Sequence, residues 1–462
     1  MIRRGPAGGV APLPDASVRL IRTLAVTVFL EWFGATSIVP MLPVYIRHLG
    51  GTDALAGLVM ASFFAAGVLF QYPVGRLSDR IGRKPVLVAG LVVYAAASFA
   101  FLAHIVPAMA ILLRGLQGLG AGASAVAALA MVSGSVARER RGRAFASIYG
   151  AQISGMAVGP LIGAIVGVRY MWAMFLASGV VALVACIPAL RIVEPAGEIE
   201  TPAVGAGAGS HRARTKLARV RWNRSMAGAM VAAAALGLTT GIYDICWTLL
   251  MVSRGATGWE IGVSWTLFAV PFVVAARPSG WLADHMDRRY LVLGGVGLAM
   301  VFCAGYPFIP FVPLLMILGG TEALGFAAAL PSLQSLLTQG SEASEVGRIQ
   351  GMFGSTQTAC TAVSAALAGA AFAYARWLPF LSASAFTAVA LVTTAVIWRK
   401  VPGHVHPALE TVEVEGADDR PADGADGRPA DGADDRPADG VDDRPSAAVG
   451  GQAAVGVSSE VQ

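Results

Sequence analysis

Four ionisable residues, Glu31, Arg114, Asp244 and Glu322, lie inside stretches of sequence too apolar to be a water-facing surface. At the centre of a hydrocarbon layer each costs about 3 kcal/mol or more, so such groups mark ion or polar-cargo handling by default. Glu31 lies about 11 residues into its stretch, about 16 Å at 1.5 Å per residue, near the midplane of a bilayer. A carboxyl group placed there can take up a proton and release it toward a wetter side. Arg114 can pair with Glu31 or hold an anionic group. Asp244 lies nearer the end of its stretch, as a cavity acid or as one that snorkels to the interface. Glu322 is deeper, and for it and Glu31 the plain alternative is a permanently protonated or paired structural acid. The aromatic residues Trp32, Phe33, Tyr243, Trp247 and Phe326 share these stretches, and Trp265, Phe268 and Phe272 occupy another. They can stack on a flat lipophilic cation or serve only as packing and interfacial anchors.

The elements that must position these groups follow from composition. Of 462 residues, 55% are apolar and 14% charged, against about 25% charge in a soluble domain. Apolar runs lie near 20–44, 55–74, 86–104, 107–136, 144–168, 170–190, 226–253, 261–282, 290–309, 311–338, 348–375 and 377–398. Each is long enough to cross a hydrocarbon layer of about 30 Å as a helix. Short alternating barrel strands and a single large soluble enzyme core are thereby excluded. The expectation is twelve transmembrane helices in two six-helix bundles, 18–190 and 226–400. Residues 1–17 form an N-terminal segment, 191–225 a linker and 401–462 a tail. Cys186, Cys246, Cys303 and Cys360 lie in four different runs without metal-ligand spacing and read as small hydrophobes. The first run is too long for a signal peptide and reads as an uncleaved span.

Charge sets sidedness and the character of the loose segments. With the N-terminus inside, the inner side collects Arg3, Arg4, Arg19, Arg22, Arg76, Arg80, Arg83, Lys84, the arginines of 138–143 and the basic linker. The outer side holds Arg47, Arg169, Arg254 and Arg376. Positive charge is retained in the cytoplasm, so both termini are expected there. Residues 1–398 carry 28 Lys and Arg against 15 Asp and Glu, whereas 399–462 carry 6 against 14. The basic part suits anionic lipid, not nucleic acid. The acidic tail repeats Arg-Pro at Arg420, Arg428, Arg436 and Arg444 with little apolar content, and is expected to be disordered and dispensable. Gly118–Gly122 sits inside an apolar run with no strand before it, which rejects a nucleotide-binding loop.

An internal repeat is visible. Gly75-Arg-Leu-Ser-Asp79-Arg80-Ile-Gly82-Arg83-Lys84 after span 2 corresponds to Gly280-Trp-Leu-Ala-Asp284-His285-Met-Asp287-Arg288-Arg289 after span 8, at an offset of 205. The pairs Gly142-Arg143 and Gly347-Arg348 share that offset, the mark of a duplicated six-helix unit. By the same offset Glu322 takes the place of Gln117, and Gly319 that of Arg114.

The first loop resembles the loop 2-3 signature of the major facilitator superfamily. Arg114-Gly-Leu-Gln117-Gly118-Leu-Gly120 resembles the superfamily's span 4 motif, and Gly155-Met-Ala-Val-Gly159-Pro160-Leu-Ile-Gly163-Ala164 its span 5 "antiporter" motif, with Ala164 replacing the last glycine. The resemblance covers roughly 18–400 and points to the twelve-helix drug:proton antiporter branch. It implies that Gly75, Asp79, Arg80, Gly82, Arg83 and Lys84 gate the rocking of two halves, with Asp79 capping a helix or pairing with Arg83. It implies that Gly155, Gly159, Pro160 and Gly163 shape a seam between the halves, and that Glu31, Arg114, Gln117, Asp244 and Glu322 line a central cavity. In the second loop copy, His285 and Asp287 replace Arg80 and Gly82, which fits a relaxed gating role there. The expected function is proton-coupled efflux of small amphiphiles across the inner (plasma) membrane, without enzymatic activity, cofactor, metal or nucleic-acid partner, by a monomer. An uptake or export carrier for a sugar, organic acid or siderophore keeps the same fold, and a non-transporting receptor is the remote alternative.

Overall fold

The computed structural model describes residues 15–103, 106–136, 141–192, 221–341 and 345–403. The N-terminal segment, most of the linker and the acidic repeat tail lie outside the described residues.

The first half runs α1 (Asp15–Ser37), α2 (Leu42–His48), α3 (Asp53–Ile81), α4 (Arg83–Ala100), α5 (Met109–Ser135), α6 (Arg141–Val166) and α7 (Met171–Leu190). The second runs α8 (Arg224–Ile242), a π-helical turn (Tyr243–Trp247), α9 (Thr248–Ser253), α10 (Gly258–Val274), α11 (Ala276–His285), α12 (Arg288–Gly305), α13 (Val312–Thr338), α14 (Val346–Tyr374) and α15 (Leu378–Trp398). Local chemistry marks several starts. Thr52 accepts the Leu55 N–H at 3.2 Å to begin α3, and Asn223 accepts the Met226 N–H at 2.7 Å to begin α8. Thr257 and Glu260 cap α10 reciprocally, each side chain taking the other's backbone N–H. Gly82, at φ +100°, makes the sharp passage from α3 to α4 that a side chain would strain.

Among the described residues, nine helices are long and apolar enough to cross a membrane by themselves, counting α8 through α9 as one. A tenth span is the pair Ser17–Ser37 and Leu42–His48, bent by 41°. The two remaining apolar runs are helical but fall short for physical reasons. Span 8 is broken at Ala275, four residues after Pro271, and α14 is diluted with Gly, Ser, Thr and Gln over its first half.

Within the first half α1 packs on α6 and α7, α3 on α5, and α4 on α5 and α7. Within the second, α8 packs on α14 and α15, α12 on α13 and α15, and α10 on α13. Two extensive packings join the halves, α3 with α14 and α6 with α10, and smaller contacts join α2 with α9 and α3 with the π-helical turn. The extensive packings are spans 2 with 11 and 5 with 8, which exchange with one another when every span moves on by six. The seam therefore carries the same pseudo-symmetry as the sequence repeat.

The seam is tight at one end. A Cβ on Gly57 would lie 2.7 Å from the Ala365 carbonyl, and one on Gly262 3.0 Å from that of Leu161. Here α3 and α10 begin and α6 and α14 finish. At the opposite end, where the arginine-bearing loops lie, Gly351 and Gly354 of α14 have open space, and Leu69 and Tyr72 of α3 are 71% and 66% exposed. The halves thus meet most closely at one end, and toward the other, more exposed end they are still joined by the Ser355 hydroxyl, which donates to Gln71 Oε1 at 3.3 Å.

Candidate functional site

Glu31 and Glu322 are both buried, at 3% and 0% exposure, and both are held by hydroxyls. In α1, Glu31 accepts a short hydrogen bond from the Ser124 hydroxyl of α5. In α13, Glu322 accepts from the Tyr306 hydroxyl at 2.5 Å and from that of Tyr243 at 2.9 Å and 3.2 Å. Neither carboxyl forms an ion pair among the described residues. Arg114 does not pair with Glu31, which settles one of the alternatives open in the sequence. Its Nη1 donates instead to Gln117 Oε1 at 2.8 Å, and Gln117 donates in turn to the Ser98 hydroxyl at 2.8 Å. The guanidinium lies 4.4 Å from the Phe63 ring centroid.

Asp244 sits in the π-helical turn that links α8 and α9. One extra residue per turn there breaks the helical register, a feature that recurs at functional sites. The same turn brings Tyr243 and Trp247 into an aromatic group with Tyr306. The Tyr243 and Trp247 rings lie 6.2 Å apart, and Trp247 and Tyr306 5.0 Å. Phe268 touches Tyr243 and Phe326, each at 6.2 Å. The Trp247 indole N–H donates to the Ser264 hydroxyl at 2.9 Å. Trp32 and Phe33 are elsewhere: Trp32 packs between α1 and α6, its Cβ 3.2 Å from where a Gly155 Cβ would stand, and Phe33 stacks on Phe29 at 6.1 Å.

The glycine stripe of α6 faces α1 within its own half. A Cβ on Gly155 would meet the Phe29 carbonyl at 2.7 Å, one on Gly159 the Phe33 carbonyl at 2.7 Å, and one on Gly163 would overlap the Ser37 carbonyl. The neighbouring face of α6 makes the seam. The Thr266 hydroxyl of α10 donates to the Ala157 carbonyl at 3.2 Å, and Leu161 and Ala164 receive Gly258 and Gly262. Ala164, the departure from the motif, is thus a seam residue.

The cap and ion pair expected of Asp79 stand in the second loop copy and not in the first. Asp79 lies in the last turn of α3, exposed; it caps no helix N-terminus and forms no ion pair with Arg83. Arg83 lies instead against Gly134 near the end of α5. In the second copy, Asp287 caps α12 by accepting the Arg289 N–H at 2.9 Å and pairs with the Arg289 guanidinium at 2.6 Å. Arg289 also donates to the Trp398 and Val401 carbonyls at 3.2 Å and 2.7 Å. This copy is a clasp on the end of α15.

Ser124, Phe63 and Tyr306 are site residues that the sequence reading passed over. Ser124 follows Gln117 by seven residues, two turns along the same face, and that spacing was the available signal. Tyr306, at the end of span 9, carries no mark separating it from an interfacial anchor.

The profile of the Major Facilitator Superfamily matches residues 24–252 and 226–421. The chain belongs to the major facilitator superfamily. This facilitator is 24% identical to the class E tetracycline resistance protein of Escherichia coli over 374 residues, 77% of this chain and 87% of that protein. It is 36% identical to the inner membrane transport protein YajR of Escherichia coli over 172 residues, 35% of this chain but 37% of the relative. Among solved structures, a bacterial homolog of the human lysosomal transporter Spinster, in an inward-facing and occupied conformation, superposes with a TM-score of 0.66 at 13% identity. That match covers 86% of this chain and 100% of the other. The human organic anion transporter MFSD10 superposes at 0.58 with 17% identity, over 83% of this chain and 100% of that one. The protein is therefore an integral membrane secondary transporter and not an enzyme.

Proposed function

We propose that this facilitator exports small amphiphilic compounds from the cell in exchange for protons, from the inner (plasma) membrane, with both termini cytoplasmic. The carrying observation is the pair of buried carboxyls, Glu31 and Glu322, one in each half and each held by hydroxyls in place of a cation. A carboxyl with hydroxyl partners can exist with or without its proton, whereas one locked to an arginine is held charged. The aromatic group beside Glu322 supplies flat apolar surface for an amphiphile. The span 5 motif and the likeness to a tetracycline resistance protein support the outward direction. With the arginine-rich end cytoplasmic, the more exposed end of the seam faces the cell interior, where an exporter loads. The drive must come from an ion gradient, since no nucleotide-binding loop is recognisable in the chain.

Efflux of a lipophilic fluorescent cation from cells, measured with and without a protonophore, tests this. Native efflux should collapse with the protonophore, and Glu31→Gln should export at less than a tenth of the native rate at equal membrane abundance. Protonophore-insensitive export, or full activity of Glu31→Gln, would overturn the reading.

A further inference from the structure

Two charges in the molecule lack the partners that burial demands, and they stand on opposite halves. Arg114, 2% exposed, spends Nη1 on Gln117 while its Nε is buried with no acceptor. The Tyr94 hydroxyl donates to Ser178 at 3.1 Å and offers its oxygen to the guanidinium, a neutral partner and not a counter-charge. Among the described residues no carboxylate stands within ion-pair distance of the guanidinium. Asp244, half-buried, likewise meets no cation and no hydrogen-bond donor among the described residues. Arg114 and Asp244 are nonetheless close enough to act on each other through space. A buried charge without a counter-charge is among the costliest features a protein can keep, and one left on each half suits a ligand that carries both opposite charges.

The place fits. Phe63, which roofs Arg114, stands six residues beyond the tight contact at Gly57, about 9 Å along α3. Arg114 therefore lies near the tight end of the seam, and the turn that carries Asp244 contacts α3, the helix of Phe63. Tyr243 and Trp247 flank Asp244 in the π-helical turn.

We propose that Arg114 and Asp244 form a dipolar subsite for a zwitterionic head group, the cargo's carboxylate binding Arg114 and its ammonium binding Asp244, with its apolar body against Trp247. This rests on the exporter reading in placing the cargo in the seam, and it narrows the cargo from small amphiphiles in general to amphiphiles that carry both charges. A head group bearing both charges bridges the halves and draws them together, whereas a simple cation or anion satisfies one half and leaves the other exposed.

The test is equilibrium binding of Nε-dansyl-lysine, whose α-ammonium and carboxylate are free, to the purified full chain, beside its methyl ester and its α-N-acetyl derivative. The zwitterion should bind about tenfold tighter than either. Arg114→Gln should remove its advantage over the ester, and Asp244→Asn its advantage over the acetyl derivative. Arg114→Lys, which keeps the charge, should retain part of the preference and guards against loss through misfolding. Equal affinities for the three probes, failure of all three to bind, or equal weakening of all three by each variant would overturn the proposal. If that result accompanies dye export that still collapses with a protonophore, the export reading stands without the subsite. Discrimination without proton-dependent export would separate the two the other way.

Discussion

At Glu322 the two tyrosine hydroxyls do what a lysine or arginine would do elsewhere, but without a charge, so the carboxyl can change protonation state inside the bundle. Tyr306→Phe removes the shorter of these bonds and leaves the ring in place. A hydrogen bond to an ionised group contributes about 1.5–3 kcal/mol, so proton-driven export should fall about tenfold or more while abundance and melting temperature stay near native. Transport at the native rate would show that the Tyr306–Glu322 bond serves packing alone. The Ser124→Ala change applies the same logic to Glu31, and export rates of the two variants measured side by side would show whether both carboxyls carry protons. The acids themselves were legible in sequence because charge in an apolar run is rare. Their hydroxyl partners were not, because serine and tyrosine occur in membrane helices for many reasons and only the packing of α1 on α5, or of α12 on α13, brings them within reach.

At the scale of elements, the molecule spends its glycines where helix backbones touch. Gly163→Val would drive a branched side chain into the Ser37 carbonyl and separate α6 from α1, whereas Gly280→Ala, with open space around it, should be silent. A fall in melting temperature and yield for the first, and none for the second, is the expected outcome of a fluorescence-detected melting experiment. The two loop copies give a second contrast. Asp287→Ala removes a helix cap, costing about 1 kcal/mol, together with the clasp on α15, and should lower the melting temperature. Asp79→Asn removes an exposed carboxylate that forms no ion pair in this conformation, so it should leave the melting temperature unchanged and slow transport, through the state in which the halves part at the other end. Equal melting losses in both variants would refute that division. The clasp also sets where the chain's essential part stops. Arg288 N–H donates to the Gly403 carbonyl at 3.3 Å, so truncation after Gly403 should preserve transport and truncation after Trp398 should impair folding. The repeat told that two such loops exist. It did not tell which one is tied, since that depends on the position of α15 more than 100 residues away.

For the molecule as a whole, the twelve apolar runs, their pairing at an offset of 205 and the loop motifs made the fold and family readable before any coordinates. The seam was less so. It uses α3 with α14 and α6 with α10, the reciprocal pairs of a duplicated unit, and closes through Gly57, Gly258 and Gly262 against Ala365, Ala164 and Leu161. Of these only Leu161 and Ala164 stand in a motif, the first at an unspecified position and the second as a departure. Alternating access in this frame is the tight end opening as the more exposed end closes, with Glu31 and Glu322 proposed to carry protons through the exchange. The most direct test reconstitutes the full chain in liposomes loaded with a transported amphiphile and a pH-sensitive dye, then dilutes them into amphiphile-free buffer of equal pH. Exchange predicts that outward movement of cargo brings protons in, so the lumen acidifies with the native chain and does not with Glu31→Gln. Cargo that leaves with no change of lumenal pH, or with alkalinisation, would contradict the account.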